Sequence, residues 1–471
     1  MGRKSLADMP GPSSWPLVGT LSFFKFSQAS VEKYHEDLLA MYKEYGPLFK
    51  EVRPLGQTVV HVFDPEHVRQ TFLSDGKRPF IVPLQTTTQK YREFRGMNPG
   101  LGNLNGEEWY RLRSAVSQAM MKPDAVHEYL PHVNETAGRL VDHISENADS
   151  NGEVDMRIVA GRWSLESAGM IVFEKRLGAM QENVHWADRM VDINRNIFRL
   201  SARMKFTPPV YHYVPTPGWR KVVKLEDQFY WEVDKLSTEA IDKLTASTNE
   251  QTIIKFASKL INKKSLNTND IKTILLSLFS DGLSTTSPTL IYNLYLLARN
   301  PIAQETLRNE LIEVNPNRED WTPILLNKVP FLRACVKEAF RMLTITTEIS
   351  RIPQKDFVLG EYEIPAGTPI EMHTSLLLRT SEMFTDADTF KPERWLREKK
   401  EKEDRQSFLM IPFGHGPRMC AGRRFAEQDL LVVLARLVSA FEIQHNHDDI
   451  GQIYETLLMP SGDCRMRFIP V

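Results

Sequence analysis

Residues 413–422, FGHGPRMCAG, place one cysteine among three glycines, a proline and an arginine. Glycines allow the backbone to adopt positive φ angles and to approach a flat ligand closely. Arg418, two residues before Cys420, could reach an anionic group on such a ligand. A helical pattern, RRFAEQDLLVVLARLVSAF, begins directly after the motif, so Cys420 is expected near a helix N-terminus. There the helix dipole and free N–H groups stabilise a thiolate.

A thiolate held among N–H donors is a suitable axial ligand for haem iron. The alternative for a free cysteine is a small, buried apolar side chain. We assign that alternative to Cys335 and Cys464, which have no comparable sequence setting. For Cys420 the flanking residues favour iron ligation.

Composition limits the classes of protein that can carry this motif. The chain has 471 residues, of which 42% are hydrophobic and 25% charged, which is typical of a globular protein and excludes dominant disorder. Lys plus Arg total 59 and Asp plus Glu total 60, so no global basic charge favours nucleic acid. Three cysteines cannot form a disulfide scaffold, and this favours an intracellular protein.

The sequence shows no membrane-spanning or secretory segment. It has no run of 18 apolar residues, and its opening MGRKSLADMPGP lacks the apolar core of a secretory signal. Either the protein never carried a targeting segment, or that segment has been removed from this sequence.

The remaining pattern is mainly helical with a small β-rich part. Residues 65–340 are mostly helical in pattern, 48–64 suggest a hairpin broken at Pro54, and 350–372 suggest short strands. No linker divides the chain, so we expect a polar tail over residues 1–9 and one catalytic domain over 10–471. The charged run at 397–405 is expected to be a surface loop.

One long helix is expected to begin near Thr268 or Asn269 and to end before Asn300. At 1.5 Å per residue, about 30 residues would span roughly 45 Å. Its middle, SDGLSTTSP at 280–288, contains poor helix formers, so the alternative is a loop between two shorter helices. Pro288 also predicts a kink or widened turn at 284–288.

The motif at 413–422 matches every fixed position of F-x-x-G-x-R-x-C-x-G, and the chain therefore resembles the cytochrome P-450 family. Further matches follow in the family's order: Trp109 and Arg113 fit W-x-x-x-R, Glu338 and Arg341 fit E-x-x-R, and Arg394 lies in FKPERW, similar to P-E-R-F. The resemblance covers nearly the whole chain from residue 10. It implies a triangular helical prism around a buried haem b.

The resemblance also implies roles for individual residues. Cys420 would ligate the iron, and Glu338, Arg341 and Arg394 would form a buried triad that fixes the loop before the haem; isolated residues would suggest only a weak surface ion pair. Arginine suits the haem propionates because its planar fork grips carboxylates. The other cofactor-binding residues implied are Trp109, Arg113, Arg351, Phe413, Gly414, Arg418 and Gly422.

By the same resemblance the long helix is the oxygen-activating helix, whose pattern is (A/G)-G-x-(D/E)-T-T. Here the residues read DGLSTT, so Thr285 takes the position of the proton-relay threonine and Thr286 follows it. Ser284 replaces the usual acid, and Asp281 stands where a small residue is usual. We hypothesise that Asp281 partly takes over the acid's role through water. The alternative is that Asp281 is salt-bridged or solvated elsewhere.

Several stretches, such as 91–113 and 162–178, are most similar to the mitochondrial branch of the family. That branch implies a location on the matrix face of the inner membrane, electrons from a small acidic ferredoxin with its reductase, and NADPH only indirectly. Basic residues implied at the partner surface are Arg333, Lys337, Arg423 and Arg424. A solvated helix face and a diflavin reductase partner remain the alternatives.

The implied activity is a monooxygenase that uses O2 to hydroxylate a lipophile such as a sterol or secosteroid. The aromatic and proline-rich stretch 204–224 fits a loop at a lipid surface, or else a loop packed on the core. Thr346, Thr347 and Glu348 fall where the family lines its pocket, although Glu348 could point away. Two alternatives are kept: a haem-thiolate isomerase or dehydratase that needs no electron donor, and a haem sensor or lipid carrier.

Overall fold

The computed structural model describes residues 3–15, 19–20, 31–246, 256–396 and 408–471. Helices account for most of these residues, and the strands are short. The helices are α1 (Tyr34–Tyr45), α2 (Pro65–Leu73), α3 (Thr86–Phe94), α4 (Gly106–Met120), α5 (Pro123–His127), α6 (Leu130–Asn147), α7 (Met156–Val172), α8 (Val184–Lys205), α9 (Pro217–Ala246), α10 (Phe256–Ile261), α11 (Thr268–Ala298), α12 (Pro301–Val314), α13 (Pro323–Leu326), α14 (Pro330–Met342) and α15 (Arg423–Ala440).

The strands form four small sheets. They are β1 (Lys4–Ser5), β2 (Leu48–Val52), β3 (Thr58–Val62), β4 (Glu153–Asp155), β5 (Ile349–Arg351), β6 (Phe357–Leu359), β7 (Tyr362–Ile364), β8 (Ile370–Met372), β9 (Phe441–Gln444), β10 (Gly451–Glu455), β11 (Leu457–Ser461) and β12 (Arg465–Pro470). The sheet that concerns the site has the order β2-β3-β8-β5, with β2 and β3 forming the predicted hairpin.

The N-terminal segment that we expected to be a polar tail takes part in a sheet. Its strand β1 pairs in parallel with β7, where Lys4 lies opposite Tyr362. The neighbouring Met9 is buried. The predicted charged surface loop at 397–405 lies outside the described residues.

Helix α11 is one continuous helix of 31 residues, so the alternative of a loop at 280–288 is wrong. It starts at Thr268, as predicted, but the residue that caps it is Asn267, which forms a capping box with Asp270. Hydroxyl groups in its middle bond back along the helix: Thr285 Oγ1 donates to the carbonyl of Asp281 at 2.8 Å. Burial of its apolar flanks then outweighs the weak intrinsic propensity of the middle.

The largest apolar core joins residues of α6, α7, α11, α14 and α15, so the fold is mainly α-helical with a small β part, as predicted. Helix α11 packs along α7 and crosses this core. Among the helices of the described residues, none has the length and apolar character needed to traverse a lipid bilayer.

Candidate functional site

The loop that carries Cys420 is folded back on itself at the start of α15. Gly414 and Gly416 both have φ of +72°, a conformation that favours glycine. The backbone N–H of Cys420 donates to the carbonyl of Phe413 at 2.8 Å, which closes the loop. Gly422 is the N-cap of α15. The predicted position of Cys420 beside a helix N-terminus is therefore what the structure shows.

Cys420 faces a cavity of about 720 Å³. Its side chain is accessible from that cavity although protein surrounds it. Burial raises the pKa of the Cys420 thiol, while the N–H groups of Gly422 and Arg423 and the charge of Arg113 lower it by less. The expected stabilisation of a thiolate by the helix terminus is present, but burial outweighs it. A cation bound at the sulfur would add to the groups that favour the thiolate.

Three arginines converge on the same cavity from distant parts of the chain. Arg418 donates to the carbonyls of Pro79 and Leu104, and its guanidinium lies 3.7 Å from the centre of the Trp109 ring. Arg351 pairs with Asp75 at 2.6 Å. Arg113 donates to the carbonyl of Met419.

These guanidinium groups are suited to an anionic ligand. Burial, followed by repulsion from Arg351 and Arg113, lowers the pKa of Arg418 to about 9. Arg418 Nη1 and Arg113 Nε are buried and have no hydrogen-bond partner among the described residues. A ligand with two carboxylates would satisfy these atoms and relieve the repulsion, so the residues fit a haem. The residues predicted to bind the haem all line this cavity: Trp109, Arg113, Arg351, Phe413, Gly414, Arg418, Cys420 and Gly422.

Helix α11 presents three of the four residues predicted to relay protons. Asp281, Thr285 and Thr286 line the cavity, whereas Ser284 does not. Ser284 Oγ instead donates to the carbonyl of Ser280 at 2.9 Å. Asp281 and Thr285 are four residues apart and share a helix face, and Ser284 falls on the neighbouring face. The sequence analysis assigned Ser284 to the relay, and in the structure its side chain lies outside the cavity lining.

Asp281 faces the cavity without an ion-pair partner within 4 Å among the described residues, so the alternative of a salt bridge elsewhere is not what the structure shows. Burial raises the pKa of Asp281 to about 6, and the nearby Arg92 opposes this rise. A carboxyl group that titrates near neutral pH can hold or release a proton during turnover.

Asp429 is a cavity residue that the sequence analysis missed. It lies on α15, is 4% exposed, and accepts a hydrogen bond from Ser167. Its Oδ1 has no partner among the described residues, and burial raises the pKa of its carboxyl to about 7. An acid within the apolar run DLLVVLARLV was the available signal.

The predicted triad is assembled, with the side chains of Glu338 and Arg341 fully buried and that of Arg394 6% exposed. Arg341 Nε and Nη2 donate to the two carboxylate oxygens of Glu338 at 2.9 and 2.8 Å, and Arg394 Nε donates to Glu338 Oε1 at 3.1 Å. Trp395 Nε1 adds a bond to Glu338 Oε2 at 2.8 Å. Arg341 also donates to the carbonyl of Leu378. The group therefore ties α14 to the segment before the cysteine loop.

The four basic residues predicted to face a redox partner lie on two helices that pack together, α14 and α15. All four are exposed: Arg333, Lys337, Arg423 and Arg424. Arg333 bonds to the carbonyl of Leu326, Lys337 lies 3.8 Å from the centre of the Trp395 ring, and Arg423 pairs with Glu427. We call these four residues the basic surface.

Of the predicted pocket residues, Thr346 and Glu348 line the cavity and Thr347 is buried beside them. Glu348 does not point away: its Oε1 lies 2.6 Å from Lys205 Nζ. The stretch 204–224 was predicted to be either a loop at a lipid surface or a loop packed on the core, and the structure shows exposed and packed residues in it. Tyr211 stacks on Trp219 in the interior, with ring centres 5.6 Å apart, whereas Tyr213 is 85% exposed.

Comparison with known proteins identifies the group to which this arrangement is similar. The profile described as Cytochrome P-450 matches residues 9–468. The chain is 51% identical to "Probable cytochrome P-450 CYP44" of Caenorhabditis elegans, over 99% of this chain and 94% of that protein. It is 28% identical to the mitochondrial 1,25-dihydroxyvitamin D(3) 24-hydroxylase of Rattus norvegicus, and 27% identical to "Probable cytochrome P-450 12b2, mitochondrial" of Drosophila melanogaster. Each of these two matches covers 99% of this chain and 90% of the relative.

Proposed function

The chain belongs to the cytochrome P-450 family and is a haem-thiolate monooxygenase, and we propose that it hydroxylates a sterol, a secosteroid or a similar lipophile with electrons from a ferredoxin. The observation that supports the site assignment most strongly is the position of Cys420. Its sulfur faces the cavity from a helix N-terminus, within reach of the charge of Arg113.

In this proposal Cys420 Sγ ligates the haem iron, and Trp109, Arg113, Arg351 and Arg418 hold the propionates. When bound, the haem supplies oxygen activation and the bond-breaking chemistry. The chain supplies the ligand, the orientation of the ring and the cavity that receives the substrate. The triad of Glu338, Arg341 and Arg394 fixes the segment that leads to the cysteine loop.

The test of this assignment compares cysteine variants by absorbance of the reduced, carbon-monoxide-bound protein. We expect the wild type to show the band typical of sulfur ligation and Cys420→Ser to lose it. Cys464→Ala is the matched control, because Cys464 is buried elsewhere, next to Arg157, and should leave the band unchanged. A Cys420→Ser protein that keeps the band would contradict the assignment.

We propose that Asp281 and Thr285 deliver protons to the oxygen site. Both side chains lie on the cavity face of α11, and the pKa of Asp281 is near 6. Asp281 holds the proton on its carboxyl, and the Thr285 hydroxyl passes it on, with Thr286 beside it. The side chain of Ser284 does not line the cavity, so we give it no part in the relay.

The electron donor we propose is an acidic ferredoxin bound at the basic surface, reduced in turn by an NADPH-dependent reductase. Relatives with mitochondrial names support this, as do the exposed positions of Arg333, Lys337, Arg423 and Arg424. Opposite charges accelerate encounter and make it sensitive to salt. We expect turnover with ferredoxin to fall as ionic strength rises and to fall further in Lys337→Glu. Faster turnover with a diflavin reductase than with ferredoxin would overturn the choice.

We propose a mitochondrial location on the matrix face of the inner membrane, with peripheral contact through the stretch 204–224. Support comes from the mitochondrial relatives and from exposed apolar side chains at Val210, Tyr213 and Val214. Co-flotation with cardiolipin-containing vesicles should weaken in Tyr213→Ser.

We also propose that residues 10–471 act as one catalytic domain, because the site residues span Trp109 to Gly422.

A second candidate is an isomerase or dehydratase that needs no electron donor. The observation in its favour is that Ser284 replaces the usual acid and faces away from the cavity. Asp281 supplies a carboxyl to the same cavity, so the monooxygenase remains the better account. Product that forms only with O2, ferredoxin and NADPH supports the monooxygenase, and product formed without them supports the second candidate.

A further inference from the structure

One wall of the cavity carries two ion pairs. Lys205 Nζ lies 2.6 Å from Glu348 Oε1, and Arg53 Nη2 lies 2.7 Å from Glu371 Oε2. All four side chains line the cavity, and each is at most 20% exposed. We call these four residues the polar wall.

A buried ion pair contributes little to the stability of the folded protein. The desolvation of two charges often costs as much as their attraction returns, and apolar side chains of similar volume do as well or better. Charged pairs that face a cavity for a lipophile therefore require a further reason. A polar group on the ligand is such a reason, because it would find partners that are already desolvated.

The polar wall is held rigidly. Lys205 is the last residue of α8, where the helix dipole favours a cation, and its Nζ lies 5.3 to 5.8 Å from the ring centres of Tyr34, Phe206 and Tyr454. Glu371 lies on β8, the strand between β3 and β5. A site fixed in this way binds a ligand group without the cost of ordering its own side chains.

The donors and acceptors of the wall define the group that would bind. The Lys205 ammonium has three N–H groups, and its acceptors are Glu348 Oε1 at 2.6 Å and Tyr454 Oη at 3.4 Å, which leaves one. The Glu348 carboxylate accepts from Lys205 and Thr347 and keeps free lone pairs. A hydroxyl group both donates and accepts, so it can bond to Lys205 and Glu348 together.

Other ligand groups match less well. A keto oxygen accepts only and meets Lys205 alone. A carboxylate is attracted by Lys205 and Arg53 but is repelled equally by Glu348 and Glu371, so it gains no net attraction from the wall. We propose that the polar wall binds a hydroxyl group of the substrate, which makes the substrate an amphiphilic alcohol; this inference rests on the proposed function.

The hydroxyl would lie apart from the oxygen site. The charged neighbours of Lys205 include Glu348 and Glu371, whereas those of the Cys420 sulfur are Arg113 and Asp281. The two groups of charges therefore mark different regions of the cavity. A molecule bound to both regions presents to the iron a carbon remote from its own hydroxyl.

The test is a titration of the loaded enzyme, followed by the shift in haem absorbance when a ligand binds. The ligands are cholestanol, cholestanone and cholestane, and a linear pair of hexadecanol and hexadecane, all delivered in cyclodextrin. The variants are Lys205→Met and Glu348→Gln. Lys272→Met is the matched control, because Lys272 forms a half-buried pair with Asp234 at 2.9 Å and does not line the cavity.

In the wild type we expect the alcohol of at least one series to bind about tenfold or more tightly than its hydrocarbon, as for a hydrogen bond to a charged group. Cholestanone should fall between cholestanol and cholestane. Lys205→Met should reduce the advantage of the alcohol to about twofold, and Glu348→Gln should remove the preference for alcohol over ketone. Lys272→Met should behave as the wild type.

Three results would overturn the inference: equal affinities within each series, an alcohol advantage that survives in Lys205→Met, or no shift with any ligand. The carbon-monoxide spectrum of each protein is recorded first and shows that it is folded and carries haem. A protein without the sulfur-ligated band would refute the proposed function, whereas an intact band with no preference for the alcohol refutes only this inference.

Discussion

Acid should destabilise the protein through His373. This side chain is fully buried, with its Nε2 2.9 Å from His61 Nδ1 and its Nδ1 2.8 Å from the carbonyl of Thr347. A carbonyl only accepts, so Nδ1 carries the hydrogen and a further proton would have to enter against His61. Burial and then the charge of His61 lower the pKa of His373 to about 3.

The sign of the effect follows from proton binding. In the unfolded chain His373 takes up a proton below about pH 6.5, whereas in the folded protein it remains neutral down to about pH 3. Stability is therefore lost as pH falls through this window, by about 1.4 kcal/mol per pH unit. Between pH 8 and pH 4.5 this group alone should lower the free energy of unfolding by about 2–3 kcal/mol.

Urea unfolding of the holoprotein at several pH values measures this contribution. Other groups also titrate, so the quantity of interest is the difference between wild type and His373→Gln, which should change by that amount between pH 8 and pH 4.5. His127→Gln, at an exposed position, is the control and should follow the wild type. Parallel pH curves for wild type and His373→Gln would refute the reasoning.

Three further predictions concern acids in the cavity or the core. Asp281→Asn should slow turnover and increase peroxide release. Wild-type turnover should fall as pH rises through about 6, where Asp281 loses its proton, and Asp281→Asn should abolish this fall. Asp281→Glu should restore part of the coupling between NADPH oxidation and product formation. Glu338→Ala should lower the free energy of unfolding by about 3–5 kcal/mol, because it leaves the Arg341 guanidinium buried without its carboxylate, whereas Glu427→Ala at an exposed pair should change it by less than about 1 kcal/mol. Asp429→Asn should stabilise the protein at pH 8 but not at pH 4, because the folded-state pKa of about 7 lies above the unfolded value and stability is lost as pH rises between them; equal gains at both pH values would contradict this.

The sequence predicted those features that depend on residues close together in the chain. The cysteine loop, the hairpin at 48–62 and the boundaries of α11 follow from turn residues, alternation and capping within a few positions. The face of α11 was predicted less well, because Ser284 was assigned from an aligned motif and not from its angular position on the helix. Asp281, four residues before Thr285 and also proposed from the sequence, lines the cavity with Thr285 and Thr286.

The features that were missed depend on contacts between distant residues. Lys205 and Glu348 are separated by 143 positions, and His61 and His373 by 312, so neither pair has a signature in a single sequence. Asp429 was visible as an acid in an apolar helix, but its unpartnered oxygen became apparent only with α7 in place. Burial also reversed an electrostatic expectation: the helix terminus favours a Cys420 thiolate, yet desolvation has the larger effect on its pKa.

One sheet links the haem site to the polar wall. Strand β5 ends at Arg351, which lines the cavity with Arg113 and Arg418, and Glu348 precedes the first residue of the same strand. Ser350 of β5 lies opposite Glu371 of β8, and His61 of β3 flanks Glu371 on the other side. Three residues of extended chain span about 10 Å, so β5 sets a fixed separation between Glu348 and Arg351. A slip of one residue would turn Glu371 from the cavity to the apolar face of Ile370 and Met372. The pairing of β5 with β8 would therefore position both the propionate site and the hydroxyl site that we propose.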